Sequence, residues 1–165
     1  MMSKAGVTPM GSKIEELCSL AAKIWTEHYE PMLTVGQVPY MLEKYQSPKA
    51  VKEQIKNGYD YFFLTLDGKN VGYIGIQPEK EKLFLSKIYV DKPARGHGVA
   101  KTGVDFSCQY GKAKNLKSVY LTVNKYNYGS IAAYKKMGFK TIDSVVTDIG
   151  NGYVMDDFIM EKTIL

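Results

Sequence analysis

The sequence predicts an α/β fold with a mixed, partly parallel central sheet flanked by helices. Apolar residues recur at helical spacing through the first third of the chain, and strand-like apolar runs begin near residue 59. The first of these runs form an antiparallel meander, and a strand–helix–strand–helix–strand order follows them. Because the meander gives antiparallel pairs and the crossovers give parallel ones, the sheet is expected to be mixed.

The first third of the chain is predicted to be mostly helical, after a short edge strand at residues 4–8. Three helices are expected, over residues 12–28, 36–46 and 48–57. Ser12 and Glu15 match a capping box at the start of the first helix. Ser47 and Pro48 are typical of a helix start and open the third helix.

The rest of the chain is predicted to contain six strands and two helices. The strands are expected over residues 59–66, 70–77, 83–90, 118–123, 139–147 and 153–162. The helices are expected over residues 98–114 and 127–137. Asp67 and Gly68 are typical of a tight hairpin between the first two strands. Gly138 is typical of the glycine that ends a helix.

Length and composition restrict the class of protein. A chain of 165 residues predicts a single domain, residues 1–165, with a sizeable core. No apolar run reaches the ~18 residues that cross a bilayer, and the first residues lack the apolar core of a signal peptide. We therefore expect a cytoplasmic protein with no membrane partner.

The cysteines and the charge narrow the expected cofactors. Cys18 and Cys108 lack the spacing of metal ligands, so we expect reduced thiols and no metal. The net charge of +5 suits an anionic cofactor and, weakly, nucleic acid, and decides neither. Because the lysines are scattered rather than clustered, nucleic acid is not expected as a partner.

Residues Arg95 to Ala100 form a glycine-rich turn between a predicted strand and a predicted helix. Glycines let backbone N–H groups converge, and the helix N-terminus adds partial positive charge. The Arg95 guanidinium is a fixed cation that can bind an anionic oxygen through two hydrogen bonds. The turn therefore predicts a phosphate-binding site.

Two common phosphate-binding motifs do not fit this turn. A dinucleotide-binding fold requires G-x-G-x-x-G, but Lys101 occupies the third glycine position. The acidic residue that this fold expects after the next strand is replaced by Asn124. A nucleotide P-loop requires G-x-x-x-x-G-K-[ST], but Ala100 precedes Lys101-Thr102 and Arg95 stands at the first glycine position.

Two blocks of the sequence carry a resemblance to one family. The first is Arg95-x-x-Gly98-x-Ala100, and the second is Asn127-x-x-Ser130-x-x-x-Tyr134-x-x-x-Gly138-Phe139. In this order, separated by a helix and a strand, they resemble the two cofactor-binding blocks of the GNAT acetyltransferase superfamily. Ala94 departs from the Gln or Arg that usually precedes the first arginine. The resemblance covers about residues 59–162.

The resemblance implies that acetyl-CoA binds as a cosubstrate along the third predicted strand and the turn. The implied cofactor-binding residues are Ile88, Tyr89, Val90, Arg95, Gly96, His97, Gly98, Val99, Ala100, Lys101, Asn127, Ser130 and Tyr134. Tyr134 is also implied as the catalytic acid for the leaving thiolate, which a phenol of pKa ~10 can protonate when held close. The alternatives are a helix-capping Asn127 and a core Tyr134.

The sequence does not identify a general base. An amine of pKa ~10.4 is about 1 part in 10³ deprotonated at pH 7, so a basic acceptor needs one. Many family members carry a glutamate on the strand before the turn, but Phe84 and Ser86 stand there. His28 is expected to pack against the core. Asp156 and Asp157 alternate on the last strand, so one of them can face the cleft.

The resemblance implies transfer of an acetyl group from acetyl-CoA to a primary amine of a small molecule. The transfer is expected to be direct, in one ternary complex. The segment after Tyr134 is similar to bacterial members that acetylate polyamines, which makes a polyamine-like acceptor the expectation. The alternatives are a peptide or protein N-acetyltransferase and an acyl-CoA sensor without chemistry. A homodimer is common in the family and is kept open.

Overall fold

The computed structural model describes residues 3–29, 33 and 36–164. The helices are α1 (Ile14–Tyr29), α2 (Gln37–Gln46), α3 (Pro48–Lys56), α4 (Val99–Ala113) and α5 (Tyr128–Lys136), with a 3₁₀ turn at Lys92–Ala94. The strands are β1 (Ala5–Pro9), β2 (Asp60–Leu66), β3 (Lys69–Pro78), β4 (Lys82–Val90), β5 (Ser118–Asn124), β6 (Lys140–Gly150) and β7 (Tyr153–Thr163).

The seven strands form one mixed sheet in the order β1-β2-β3-β4-β5-β7-β6. Strands β4 and β5 pair in parallel, and the other neighbours pair antiparallel. Helix α4 makes the crossover between β4 and β5, as a parallel connection requires. The prediction of a mixed, partly parallel sheet flanked by helices is confirmed.

Helices cover the two faces of the sheet separately. Helices α4 and α5 pack on one face, which we call the α4 face, over residues that include Leu64, Ile74, Leu85, Leu121 and Met160. Helices α1 to α3 pack on the opposite α1 face. Their cores there include Leu17, Trp25, Met41, Val51, Phe63 and Tyr73. Burial of these side chains is the main term that holds the layers together.

Strands β4 and β5 separate after a short paired stretch. Their parallel pairing joins Lys82–Phe84 to Ser118–Tyr120 and goes no further, although β4 continues to Val90. On its other edge, β4 pairs with β3 as far as Val90, with a register shift that leaves Ser86 as the extra residue of a bulge. Because a bulge bends its strand, β4 turns away from β5 and a gap opens inside the sheet.

The element boundaries lie within about two residues of those predicted, except that β6 extends three residues further, to Gly150. The predicted capping box is wrong: the first helical hydrogen bond joins Leu17 N–H to Lys13 O, so Lys13 occupies the cap position rather than Ser12. The Ser47 cap is confirmed, since its hydroxyl accepts the Ala50 N–H at 3.2 Å. Within the described ranges, no helix is long and apolar enough to cross a membrane.

Candidate active site

A cavity of about 330 Å³ occupies the gap between β4 and β5. Its wall includes α1 residues from one face of the sheet and α4 and α5 residues from the other, so the cavity passes through the sheet. Eight predicted site residues line it: Ile88, Tyr89, Val90, Arg95, Ala100, Asn127, Ser130 and Tyr134. The gap thus collects residues from both predicted cofactor-binding blocks.

Beyond Phe84, the edge of β4 that faces this first cavity is not paired with another of the described strands. Val90 O accepts a hydrogen bond from Arg95 Nε at 3.1 Å, so this carbonyl points away from β3. Residues two apart on a strand present their N–H and C=O groups to the same side. The backbone groups of Ile88 therefore point into the gap as well.

The turn after β4 presents a row of backbone donors. Gly96 and Gly98 have φ angles of 82° and 76°, a left-handed conformation that favours glycine. Among the described residues, no hydrogen bond engages the N–H groups of residues 96 to 101. Helix α4 begins inside this row, so its dipole adds positive potential at the same point. This arrangement suits a phosphate group.

The side chains of the turn contribute unequally. The His97 side chain is exposed, and the Lys101 ammonium binds Asp105 at 2.8 Å. The Val99 side chain is buried in the core. Gly96, His97, Gly98, Val99 and Lys101 lie beside the first cavity rather than on its wall. They can reach a ligand there through their amides.

Arg95 supplies the cation of the site. It is the only arginine in the chain, against 21 lysines. Its Nε donates to Val90 O, and none of the described carboxylates forms an ion pair with it. The two terminal NH₂ groups of its guanidinium can therefore bind an anion on the ligand.

Tyr134 projects from α5 onto the wall of the first cavity. Its side chain is buried, with its ring edge-to-face against Phe139. Burial, and then the neighbouring Tyr29, raise the pKa of the Tyr134 phenol well above its usual range. The phenol therefore stays protonated at neutral pH and can act as an acid.

Asn127 connects α5 to α1 at the edge of the same cavity. Its Oδ1 accepts the Ser130 N–H at 3.3 Å, which confirms the predicted helix cap. Its Nδ2 lies 3.3 Å from His28 Nε2. Burial, and then the Arg95 charge, lower the pKa of His28, so its ring is neutral at pH 7. Asn127 is thus both a cap and part of the cavity wall.

A second cavity of about 310 Å³ lies on the α1 face. Strands β4 to β7 form its floor, and α1, α2 and α3 contribute to its roof. Trp25, Tyr45, Tyr59 and Phe84 give it a largely aromatic wall. It shares five wall residues with the first cavity: Tyr29, Ser86, Tyr89, Thr122 and Val123. The two cavities therefore meet at the gap between β4 and β5.

Asp157 is the carboxylate that lines the second cavity. It is 5% exposed, on the β7 strand opposite Asn124 of β5. Burial, and then the neighbouring Asp156, raise the pKa of Asp157 to about 6. Asp156 pairs with Lys125 at 2.7 Å and does not line either cavity. The structure thus selects Asp157 from the two candidates of the last strand.

Lys87 lines the second cavity from its β4 side. It is 4% exposed, and its ammonium donates to Tyr45 O and to Gln54 Oε1. Burial lowers the pKa of Lys87 to about 7. The sequence analysis missed this residue, although a lone lysine inside an apolar strand is a signal that could have identified it.

Comparison with known proteins decides the family. The model of the acetyltransferase (GNAT) family matches residues 20–139, which is most of the chain. The chain belongs to the GNAT family. Human N-acetyltransferase 8 is 27% identical over 127 residues, which cover 73% of this chain and 52% of that protein. The uncharacterized N-acetyltransferase YjgM of Escherichia coli is 30% identical over 90 residues, covering 52% of this chain and 54% of that protein.

The GNAT fold extends over nearly the whole chain. The PaiA N-acetyltransferase of Thermoplasma acidophilum, solved in complex with coenzyme A, superposes with a TM-score of 0.78 at 21% identity, covering 99% of both chains. A GCN5-related N-acetyltransferase of Rhodopseudomonas palustris gives a TM-score of 0.82 at 14% identity. By contrast, the matched segments span about half the length of the curated relatives.

Proposed function

We propose that this GNAT protein transfers an acetyl group from acetyl-CoA to a primary amine of a small molecule. The observation that carries the proposal is the meeting of two cavities at the gap between β4 and β5. One cavity holds an acid, Tyr134, and the other holds a carboxylate, Asp157. Residues 1–165 are proposed to act as a single domain.

Acetyl-CoA is proposed to occupy the first cavity. The free amides of residues 96 to 101 and the Arg95 guanidinium would bind its pyrophosphate. The free edge of β4 at Ile88 and Val90 would bond the pantetheine arm as an added strand does. These backbone N–H groups are also proposed to polarise the thioester carbonyl.

The acceptor amine is proposed to occupy the second cavity. A neutral amine is the nucleophile, and at pH 7 an ammonium of pKa ~10.4 must lose its proton at a cost of roughly 4–5 kcal/mol. Above about pH 6 the Asp157 carboxylate is charged and can accept that proton. A carboxylate with a raised pKa is a better base than an ordinary aspartate.

Transfer is proposed as one direct displacement. The amine nitrogen forms a bond with the thioester carbon, and the C–S bond breaks. The ammonium proton first taken by Asp157 leaves to solvent before the attack, so the same carboxylate can take the second proton, which the nitrogen loses as the amide forms. The departing thiolate takes a proton from the Tyr134 phenol, which regains one from solvent. The raised pKa of Asp157 supports its role as the base, and the Tyr134 phenol carries the proton that its role as the acid requires.

The identity of the acceptor, the oligomeric state and the location of the protein are further predictions. The second cavity, at about 310 Å³, has the size of a small-molecule site, which favours a small molecule over a folded protein as acceptor. A polyamine-like acceptor, a reaction without metal, a homodimer and a cytoplasmic location stay untested predictions. An acyl-CoA sensor without chemistry is the competing class, because Phe84 and Ser86 stand where many family members carry the glutamate base.

The test is thiol release across a panel of amines. Purified protein is mixed with acetyl-CoA and one of spermidine, an aminoglycoside, an amino acid or a peptide, and free coenzyme A is measured with a thiol reagent. We expect one class to give turnover, with an acidic limb near pH 6 in kcat/KM. Tight acetyl-CoA binding by calorimetry, with no thiol release from any amine, would support the sensor instead.

A further inference from the structure

The second cavity contains one buried cation and one buried acid. Among the described residues that line it, Lys87 is the only lysine or arginine, and Asp157 is the only carboxylate. Lys87 is 4% exposed and Asp157 is 5% exposed. The rest of the wall is aromatic, aliphatic or uncharged polar. A ligand in this cavity therefore meets one site of each charge.

The Lys87 ammonium is held in place by neutral groups. It donates to Tyr45 O, in the last turn of α2, and to Gln54 Oε1 at 2.9 Å. It also lies 5.2 Å from the centre of the Tyr61 ring. Gln54 is itself fixed, since its Nε2 donates to Tyr45 O at 3.1 Å. An ammonium has three donors, so one N–H remains for a ligand.

Lys87 also lacks a partner of opposite charge. Within the described ranges, no carboxylate forms an ion pair with it. A buried cation without a counter-ion is costly, and the lowered pKa of Lys87 expresses this cost. An anionic group entering the cavity would supply the missing charge.

The two charged residues lie on strands that are far enough apart to leave room for a small molecule between them. Lys87 lies on β4 and Asp157 on β7, with β5 between them. The backbones of β4 and β7 are therefore two strand spacings, or about 10 Å, apart. The divergence of β4 from β5 adds to this distance, and the long Lys87 side chain reduces it. Because both residues line the same cavity, one small molecule that carries an amine and an acid group can contact both.

We propose that the acetyl acceptor is an amino-carboxylate with an apolar or aromatic side chain, and that Lys87 binds its carboxylate. This inference rests on the proposed acetyl transfer. The amine would lie beside Asp157, next to the gap, and the carboxylate would accept the free N–H of Lys87. The side chain would lie against the aromatic wall formed by Trp25 and Tyr59.

A polyamine fits this cavity less well. Its second ammonium would need an acidic partner, and Asp157 already receives the first. At the other end of the cavity it would meet Lys87, a charge of the same sign. Repulsion in a desolvated site is strong, so the cavity discriminates against a second cation.

The test compares amines that differ at the carboxylate. Each set contains an amino acid, its amide and the amine without the carboxylate, so the side chain is shared and only the amino acid carries a carboxylate. The first set is L-phenylalanine, phenylalaninamide and phenethylamine. The second set is leucine, leucinamide and isoamylamine. We expect the wild-type protein to prefer the amino acid over its amide and amine by about tenfold or more in kcat/KM, the value of one charge-assisted hydrogen bond. Spermidine is included in the same series.

The variant Lys87→Met keeps the apolar stem and removes the charge. We expect its KM for the amino acid to rise about tenfold or more with kcat within threefold, while kcat/KM for the amide and the amine changes less than twofold. The control is Lys82→Met, at the far end of the same strand, where the ammonium pairs with Glu161. It should leave the preference unchanged.

Several outcomes would overturn the inference. A wild-type preference for the uncharged partner or for spermidine would do so, and this needs no variant to fold. An equal loss on amino acid, amide and amine in folded Lys87→Met would assign Lys87 to the fold alone. If no amine releases coenzyme A, the proposed acetyl transfer itself fails, which is a separate result.

Discussion

Tyr134 and Asp157 are proposed to have opposite roles in proton transfer, and burial raises the pKa of both side chains. The phenol of Tyr134 is kept protonated, and the carboxylate of Asp157 titrates close to neutral pH. One group can therefore donate a proton while the other accepts one under the same conditions. Neither role depends on a residue type that is rare in proteins, and both depend on where the chain places the side chain.

Tyr134→Phe tests the acid. It removes the hydroxyl and keeps the ring that packs against Phe139. We expect kcat to fall by roughly 10²- to 10³-fold, the range of general acid catalysis, with the KM for acetyl-CoA within threefold. Steady-state kinetics on the active amine measure both values. An unchanged kcat would remove Tyr134 as the acid.

Asp157→Asn tests the cost of burying a carboxylate. The pKa of Asp157 is raised from 3.8 to about 6, so its charged form destabilises the fold above pH 6, and this cost disappears below about pH 4. We expect the variant to gain about 1–3 kcal/mol in free energy of unfolding at pH 8, relative to wild type, and almost nothing at pH 4.

Denaturant unfolding at the two pH values measures this difference. The matched control is Asp143→Asn, which removes an exposed carboxylate on the neighbouring strand β6 and should not give the gain at pH 8. Equal effects of Asp157→Asn at both pH values would show that the carboxylate is not electrostatically strained. Loss of activity in the same variant would then still support its role as base.

At the scale of elements, the turn and the start of α4 together form one proposed anion-binding unit. The turn supplies free amides, the helix supplies its dipole, and Arg95 supplies the cation. Backbone groups cannot be removed by mutation, whereas the guanidinium can. Arg95 is therefore the part of this unit that a substitution tests most directly.

Arg95→Met is expected to weaken binding of the pyrophosphate. The KM for acetyl-CoA should rise about tenfold or more, with kcat within threefold, because a charged hydrogen bond to phosphate is lost. Acetyl-pantetheine lacks the pyrophosphate, so its KM should stay within twofold. Lys112→Met, on the exposed last turn of α4, serves as the control for net charge. An equal rise for both thioesters would contradict the assignment.

At the scale of the whole molecule, local patterns predicted the fold well. Alternating and helical apolar spacing, the Asp67-Gly68 hairpin and the Ser47 cap are signals contained within a few residues, and the structure confirms them. The helix start at Ser12 failed because a capping box also needs the right chain entry, which here places Lys13 at the cap.

The acceptor side of the site could not be predicted in the same way. Lys87 and Asp157 lie 70 positions apart in sequence, and β5 separates them in the sheet. Their convergence depends on the insertion of β5 and on the Ser86 bulge, which no local pattern encodes. The proposed cofactor side rests on two compact motifs, so the sequence alone is enough to indicate it.

The gap between β4 and β5 is an opening in the sheet that both cavities reach. The thioester would reach this opening through the first cavity, which is lined by helices of both faces. The amine would reach it through the second cavity, which lies on the α1 face. Neither ligand needs to pass through the space of the other. A molecule that joins coenzyme A to the acceptor through an acetyl bridge would pass through the opening and occupy both cavities at once. Such a conjugate is therefore expected to inhibit the protein.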